Sequence, residues 1–312
     1  MTRIDLHAHV IPDAYRELLA APDGSRPFAP PAPLDGLMAT MDRYEIDAAA
    51  ISTGPPGAYL GDQGQVIELA RAANESLAAI VRSAPDRFAG LALLPLPDAQ
   101  AAIAELGHAL DQLALEGVML LSNTAGVYLG DDRWEPLYEE LDRRGTYVFV
   151  HPSFPPQQPP LGDEYPVWLY EFPFDTTRAL AKLIFSGTFE RYPSIRFQFA
   201  HLGGAAPFLA HRLASLAERE PGRAQRAPAG ALEYLRRQYY DTGLTANPPA
   251  IAATREITAL EHIVFGTDWP YADLPAGADP APALAALCAE ARALIDGSNA
   301  AALVPRLAGT PV

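Results

Sequence analysis

The chain has 312 residues, 49% of them hydrophobic, and a formal net charge of −15 with acidic residues spread along its length and no basic block. That balance argues against a nucleic-acid partner and an anionic membrane surface, while leaving room for a small carboxylate substrate met by local arginines. A single cysteine, Cys288, excludes an intramolecular disulfide. With no leader-like segment before the first apolar run and no stretch long enough to span a membrane, a cytoplasmic protein is expected.

In chain order, eight short apolar runs alternate with longer helical patterns. IDLHAH (4–9) predicts the first strand, followed by a proline-rich stretch (21–36) and a helix near 34–44. IDAAAIS (46–52) precedes a helix near 65–84, and FAGLALLP (88–95) one near 98–113 that Asp98 is placed to cap. GVMLLS (117–122) leads into a helix near 134–144. TYVFVH (146–151) opens onto a long loop, 152–175, carrying Trp168, Tyr170, Phe172 and Phe174, then a helix near 176–190 stopped by ERYP. IRFQFAH (195–201), QYYDTG (238–243) and HIVFGTD (262–268) supply the last three strands. Their helices fall near 206–219, 247–258 and 281–295.

Strands apolar on both faces, each followed by a helix, predict an α/β fold in which a parallel sheet closes into a (β/α)8 TIM barrel, one domain over residues 1–312. The competitor is an open doubly wound sheet, but no GxGxxG follows the first strand. In a barrel the loop after strand five emerges on the catalytic rim, and its aromatics predict a lid or a subunit contact.

Four of the seven histidines sit at predicted strand ends: His7 and His9 on strand one, His151 on strand five, His201 on strand six. Strand eight ends in Asp268. Side chains two apart on a strand face the same way, so both imidazoles of HAH project together while Ala8 faces the helices. His7, His9, His151 and Asp268 then make a metal shell with an open position. It suits Zn²⁺, with Mn²⁺, Fe²⁺ or Co²⁺ as alternatives. HxH alone is weak evidence, since one histidine at a strand end is usually structural; the convergence of four positions on one rim carries the reading. His201 opens HLGG and is expected to act as general acid/base, the rival role being to orient a metal-bound water. His108, His211 and His262 read as structural.

These features resemble the amidohydrolase superfamily. Its binuclear members bridge two metals through a lysine at the end of strand four, where this chain has LLSN, and its only lysine is Lys182. The resemblance therefore implies one metal per chain. The stretches IDLHAHVIP, VHPSF, LIFSGTFERYPSIRFQFAHLGG, YYDTGLTANP and VFGTDWPY look like the aminocarboxymuconate-semialdehyde decarboxylase (amidohydrolase 2) branch. FPFDTTRA (172–179) looks like its 6-methylsalicylate decarboxylase group. Carried over, the resemblance implies that His7, His9, His151 and Asp268 bind metal and that His201 is the acid/base residue. It also implies that Arg212 reaches a partner subunit's site in a homodimer to bind substrate carboxylate. Two departures matter. The loop after strand one holds Arg26 in an unrelated context, which disfavours a muconate semialdehyde, and His7 stands where resorcylate and carboxyvanillate decarboxylases carry Glu.

The expected reaction is non-oxidative decarboxylation of a hydroxybenzoate-type acid. The ring carbon is protonated by His201 or Asp268 before CO₂ leaves, and aromatics such as Trp168 and Phe174 cover the ring. The alternative is a mononuclear hydrolase of a lactone or amide, which the same shell would serve.

Overall fold

In the computed structural model the described residues are 2–19, 32–61, 63–156, 165–244 and 246–308. Arg26 and the middles of the two long predicted loops (20–31 and 157–164) lie outside them. Eight parallel strands follow one another around the sheet in sequence order: β1 (Ile4–His9), β2 (Ala48–Ser52), β3 (Phe88–Leu93), β4 (Gly117–Leu121), β5 (Tyr147–His151), β6 (Arg196–Phe199), β7 (Tyr239–Asp241) and β8 (Ile263–Val264). The ring closes where the chain leaving β8 meets β1, through Leu6 N–H to Phe265 O (2.9 Å), Asp268 N–H to His7 O (2.7 Å) and His9 N–H to Trp269 O (2.8 Å). This is the expected (β/α)8 barrel. No described helix is long and apolar enough to cross a membrane.

Alternation along the strands divides the core into two layers. Met119, Leu121, Tyr147 and Phe149 point into the barrel; Val118, Leu120, Val148 and Val150 pack beneath the helices. The surrounding helices include α1 (Asp13–Leu18), α2 (Leu34–Arg43), α3 (Gln63–Ser83), α4 (Ala99–Gly107), α5 (Glu135–Arg144), α6 (Glu171–Phe185), α7 (Thr188–Arg191) and α8 (Ala206–Ala214). Asp98 caps α4 as expected, its carboxylate accepting the Gln100 and Ala101 N–H groups at 2.9 and 3.0 Å.

Two predicted stretches are corrected and one element is added. The loop after β5 ends at Tyr170 rather than at 175, because α6 begins at Glu171. Pro173 reads as a loop residue in the sequence, but it lies in the first helical turn, where its missing N–H has no intrahelical acceptor to lose. The predicted last helix, 281–295, opens as a 3-10 turn (Pro282–Leu284) and becomes helical only from Ala289. β4 is followed by a small antiparallel hairpin, Asn123–Thr124 with Val127–Tyr128, which no periodicity announced.

β1 contains the irregularity that makes the site. Its register against β2 shifts by one residue between Asp5 and Ala8. Ile4 and Leu6 share the inner cluster with Ala48, Met119 and Phe149, whereas Ala8 joins the outer layer. His7 therefore turns inward despite following an inward Leu6, its ring lying 4.7 Å from that of Phe149. Asp5 holds the bulge: its buried carboxylate accepts the His7 N–H (2.9 Å), the Thr267 N–H (3.1 Å) and the Thr267 hydroxyl (2.6 Å).

Candidate active site

The ends of β1 and β5 and the segments just past β6 and β8 deliver His7, His9, His151, His201 and Asp268 to one point on the C-terminal rim. His7 Nε2 and His9 Nε2 face each other at 3.1 Å, and Asp268 Oδ1 lies 3.1 Å from the first and 3.2 Å from the second. His151 Nε2 approaches the same oxygen at 4.0 Å. Neither His151 Nε2 nor Asp268 Oδ1 has a hydrogen-bond partner, although both are buried. His201 reaches the other carboxylate oxygen, Nε2 to Oδ2 at 3.1 Å. The donor atoms of His7, His151, His201 and Asp268 all fall within 4.8 Å of one another.

The opposite edge of each imidazole explains why these nitrogens converge. His151 Nδ1 lies 2.8 Å from the Pro152 carbonyl, which can only accept, so the proton is on Nδ1 and Nε2 presents a lone pair. His7 Nδ1 meets Asp241 Oδ1 at 2.9 Å, which puts a proton on Nδ1 and turns Nε2 toward the cluster, and His9 Nδ1 meets Ser52 Oγ at 3.0 Å. The β1–β2 register pairs His9 with Ser52 directly. Two ring nitrogens and a carboxylate oxygen crowded within 3.2 Å repel unless a positive charge sits between them. Donors about 2.0–2.2 Å from one divalent ion lie roughly 3 to 3.5 Å apart, so the donor set fits such an ion.

Electrostatics agree. Burial opposes charging of His7, yet the carboxylates of Asp241 and Asp268 outweigh it and raise His7 to about 10. Burial works against ionised Asp268 too, but His7 and the contacts from His201, His7 and His9 hold its carboxyl well below the usual range. His151 is driven the other way, well below the ordinary histidine value, by burial and by neighbouring His9 and His7. A neutral imidazole, an anionic carboxylate and strong demand for a cation are what a metal position requires.

In the sequence Asp241 is one residue of the QYYDTG strand, with no role that its position announces. Its Oδ1 takes His7 Nδ1–H and the backbone N–H of His201 (3.2 Å) and Gly243 (3.0 Å); its Oδ2 takes Gln198 Nε2–H (2.9 Å). Ser52 ends its predicted strand and Asp241 lies two residues before the end of its own, both toward the rim that carries His7 and His9, the one signal that could have found them. A Cβ on Gly243 would stand 2.7 Å from His7 Nδ1 and 3.0 Å from Asp241 Oδ1. Gly243→Ala is therefore expected to displace His7 and weaken metal binding by about 10–100-fold, read by titration against a competing chelator.

A cavity of about 600 Å³ opens above the cluster, floored by His151, His201 and Asp268 and walled by Trp168, Phe172, Pro173 and Tyr271. Trp168 lies where a substrate-covering residue is expected, half exposed over the cavity. Phe174 and Arg212 are not among its lining residues. Phe174 is 44% exposed on α6, and Arg212 stands in solvent on α8. No arginine or lysine lines the cavity among the described residues. Of the remaining histidines, His262 stacks on Tyr239 and bonds the Arg236 carbonyl, His108 pairs with Gln112, and His211 is exposed.

β4 ends in Leu121 followed by Ser122 and Asn123, and Lys182 is engaged on α6 by Asp131 at 2.7 Å, so no lysine reaches the cluster. The amidohydrolase family model (Amidohydro_2) matches residues 4–306. The chain belongs to the amidohydrolase family. This amidohydrolase is 32% identical over 317 aligned residues to a 6-methylsalicylic acid decarboxylase of Penicillium expansum, covering 99% of this chain and 98% of that protein. Among solved structures, an amidohydrolase II superposes with a TM-score of 0.87 at 28% identity, over 97% of this chain and 100% of the other. The 5-carboxyvanillate decarboxylase of Sphingomonas paucimobilis does so with 0.84 at 25% identity, over 97% and 99%.

Proposed function

We propose that this amidohydrolase is a metal-dependent, non-oxidative decarboxylase of a small hydroxybenzoate or salicylate-type acid. The observation that carries the reading is the aromatic-walled cavity set directly on the His–Asp cluster, and the full-length similarity to a 6-methylsalicylic acid decarboxylase supports it. His7, His9, His151 and Asp268 hold one divalent ion per chain, Zn²⁺ before Mn²⁺ given three imidazole donors. When bound, that ion supplies Lewis acidity to the substrate carboxylate and ortho oxygen.

The chain's own residues do the rest. Direct loss of CO₂ would leave an aryl carbanion, so the ring carbon takes a proton first and the dearomatised ring then expels CO₂. That proton is held in the contact between His201 Nε2 and Asp268 Oδ2, 3.1 Å apart on the cavity floor. Trp168 and Phe172 flank the ring and exclude water. With no cationic side chain in the cavity wall among the described residues, the site is completed by Arg212 from a second copy in a homodimer. Exposed Phe208 (86%) beside Arg212 on α8 supports such a contact. We read the described residues as one barrel domain of a cytoplasmic enzyme. The lactone or amide hydrolase is not favoured, because a 6-methylsalicylic acid decarboxylase, a 2-amino-3-carboxymuconate-6-semialdehyde decarboxylase and a gamma-resorcylate decarboxylase are among the proteins this chain is similar to.

Metal-loaded protein incubated with a panel of salicylates and lactones tests this. CO₂ release from 6-methylsalicylate, abolished by a chelator and restored by Zn²⁺ or Mn²⁺, is expected. Lactone opening with no CO₂ from any salicylate overturns the reading.

A further inference from the structure

A buried carboxylate that the chemistry above leaves unused lies in FPFDTTRA. Asp175 is 0% exposed on α6, with four hydrogen-bond donors converging on it and Arg178 Nη1 4.0 Å from its Oδ1. Its Oδ2 accepts the Ser122 hydroxyl, Asn123 Nδ2–H (2.9 Å) and the Ser153 N–H (3.4 Å), and its Oδ1 accepts the Tyr128 hydroxyl. These donors come from the end of β4, the hairpin after it and the segment two residues past His151. The Ser-Asn pair at the end of β4 thus serves α6.

Phe172 precedes Asp175 by three residues and shares its helix face. Its ring packs edge-on against His151 at 6.3 Å and Phe154 at 5.6 Å, inside the cavity wall that Trp168, Leu169 and Pro173 continue. The other side of this turn is held as well. Thr177 Oγ1–H donates to the Pro173 carbonyl (2.7 Å) and its oxygen accepts the Ala205 N–H (2.9 Å). Gly204, at φ +65°, lets the turn after His201 close on Pro173, whose carbonyl oxygen would lie 2.1 Å from a Cβ. The first turn of α6 is therefore clamped between the segments bearing His151 and His201.

Desolvating a carboxylate merely to fill space is costly, whereas four converging donors impose one geometry. We propose that Asp175 is a positioning residue for substrate: it fixes the Trp168–Pro173 wall against His151 and so sets affinity for the aromatic ring. The inference rests on the aromatic-acid reading above and goes beyond it by naming what holds the wall.

The test compares wild type, Asp175→Asn and Tyr128→Phe, all metal-loaded. It reads metal content, calorimetric Kd for salicylate, and kcat and KM with 6-methylsalicylate. An asparagine accepts at one oxygen only, so Asp175→Asn is expected to raise Kd and KM about tenfold with kcat within about threefold and metal content unchanged. Tyr128→Phe, which removes one donor outside the cavity, shifts both the same way by less, and it carries the test alone should Asp175→Asn fail to fold. Wild-type Kd and KM in folded variants with only a lowered Tm, or a loss confined to kcat or to metal content, overturns the proposal. A wild type that binds salicylate without releasing CO₂ overturns the decarboxylase reading, while the Kd comparison still decides this one. A wild type that binds no salicylate overturns both.

Discussion

Asp268→Asn is expected to cost at least about 10³-fold in CO₂ release and to strip most of the metal at the same time. The two carboxylate oxygens have different neighbours: Oδ1 sits 3.1 and 3.2 Å from the Nε2 atoms of His7 and His9, and Oδ2 takes His201. An amide supplies one oxygen and no charge. Either the imidazole cluster loses its counter-charge or His201 loses its partner. The substitution is a clean probe because Asp268 sits at φ +58°, a left-handed conformation that asparagine tolerates as well as aspartate does. Elemental analysis after dialysis, together with CO₂ release, reads both losses. A variant retaining wild-type metal and rate removes Asp268 from both roles.

His201→Asn is expected to lower the rate by about 10²–10⁴-fold while leaving metal content at the wild-type level. His201 also lies at positive φ, +58°, so alanine there would add backbone strain to the loss of the ring, and asparagine does not. Its backbone N–H remains bonded to Asp241 in either case. The metal measurement matters because the donor atoms of His7, His151, His201 and Asp268 lie within 4.8 Å of one another, so that His201 is near enough to ligate. Loss of metal in His201→Asn would reassign it to the shell. Unchanged metal with a collapsed rate would place it on the proton.

Much of this was legible in the one-dimensional pattern. Apolar runs of six to eight residues alternating with helical periodicity require a parallel sheet covered on both sides, and eight of them close a barrel. The polar residues ending four of those runs then fall on one rim, because every strand of such a barrel points the same way. Hence the convergence of His7, His9, His151, His201 and Asp268 followed from sequence position alone. So did the absence of a bridging lysine at the end of β4.

Three things needed the folded chain. Strict alternation cannot carry Leu6 and His7 into the same interior; the one-residue bulge that Asp5 stabilises does so, and its signal is a contact with Thr267, 262 residues away. Asp241 and Ser52 acquire their roles from neighbouring strands, where register sets which side chain lies beside which imidazole. The start of α6 at Glu171, and with it the placement of Phe172 and Asp175, is decided by hydrogen bonds from β4, its hairpin and the segment after β5 rather than by local propensity. Sequence by itself determined which residues meet, since strand direction and strand ends are local properties. Only the tertiary structure decided how their atoms are aimed, since bulges, registers and buried carboxylates are settled by partners far away along the chain.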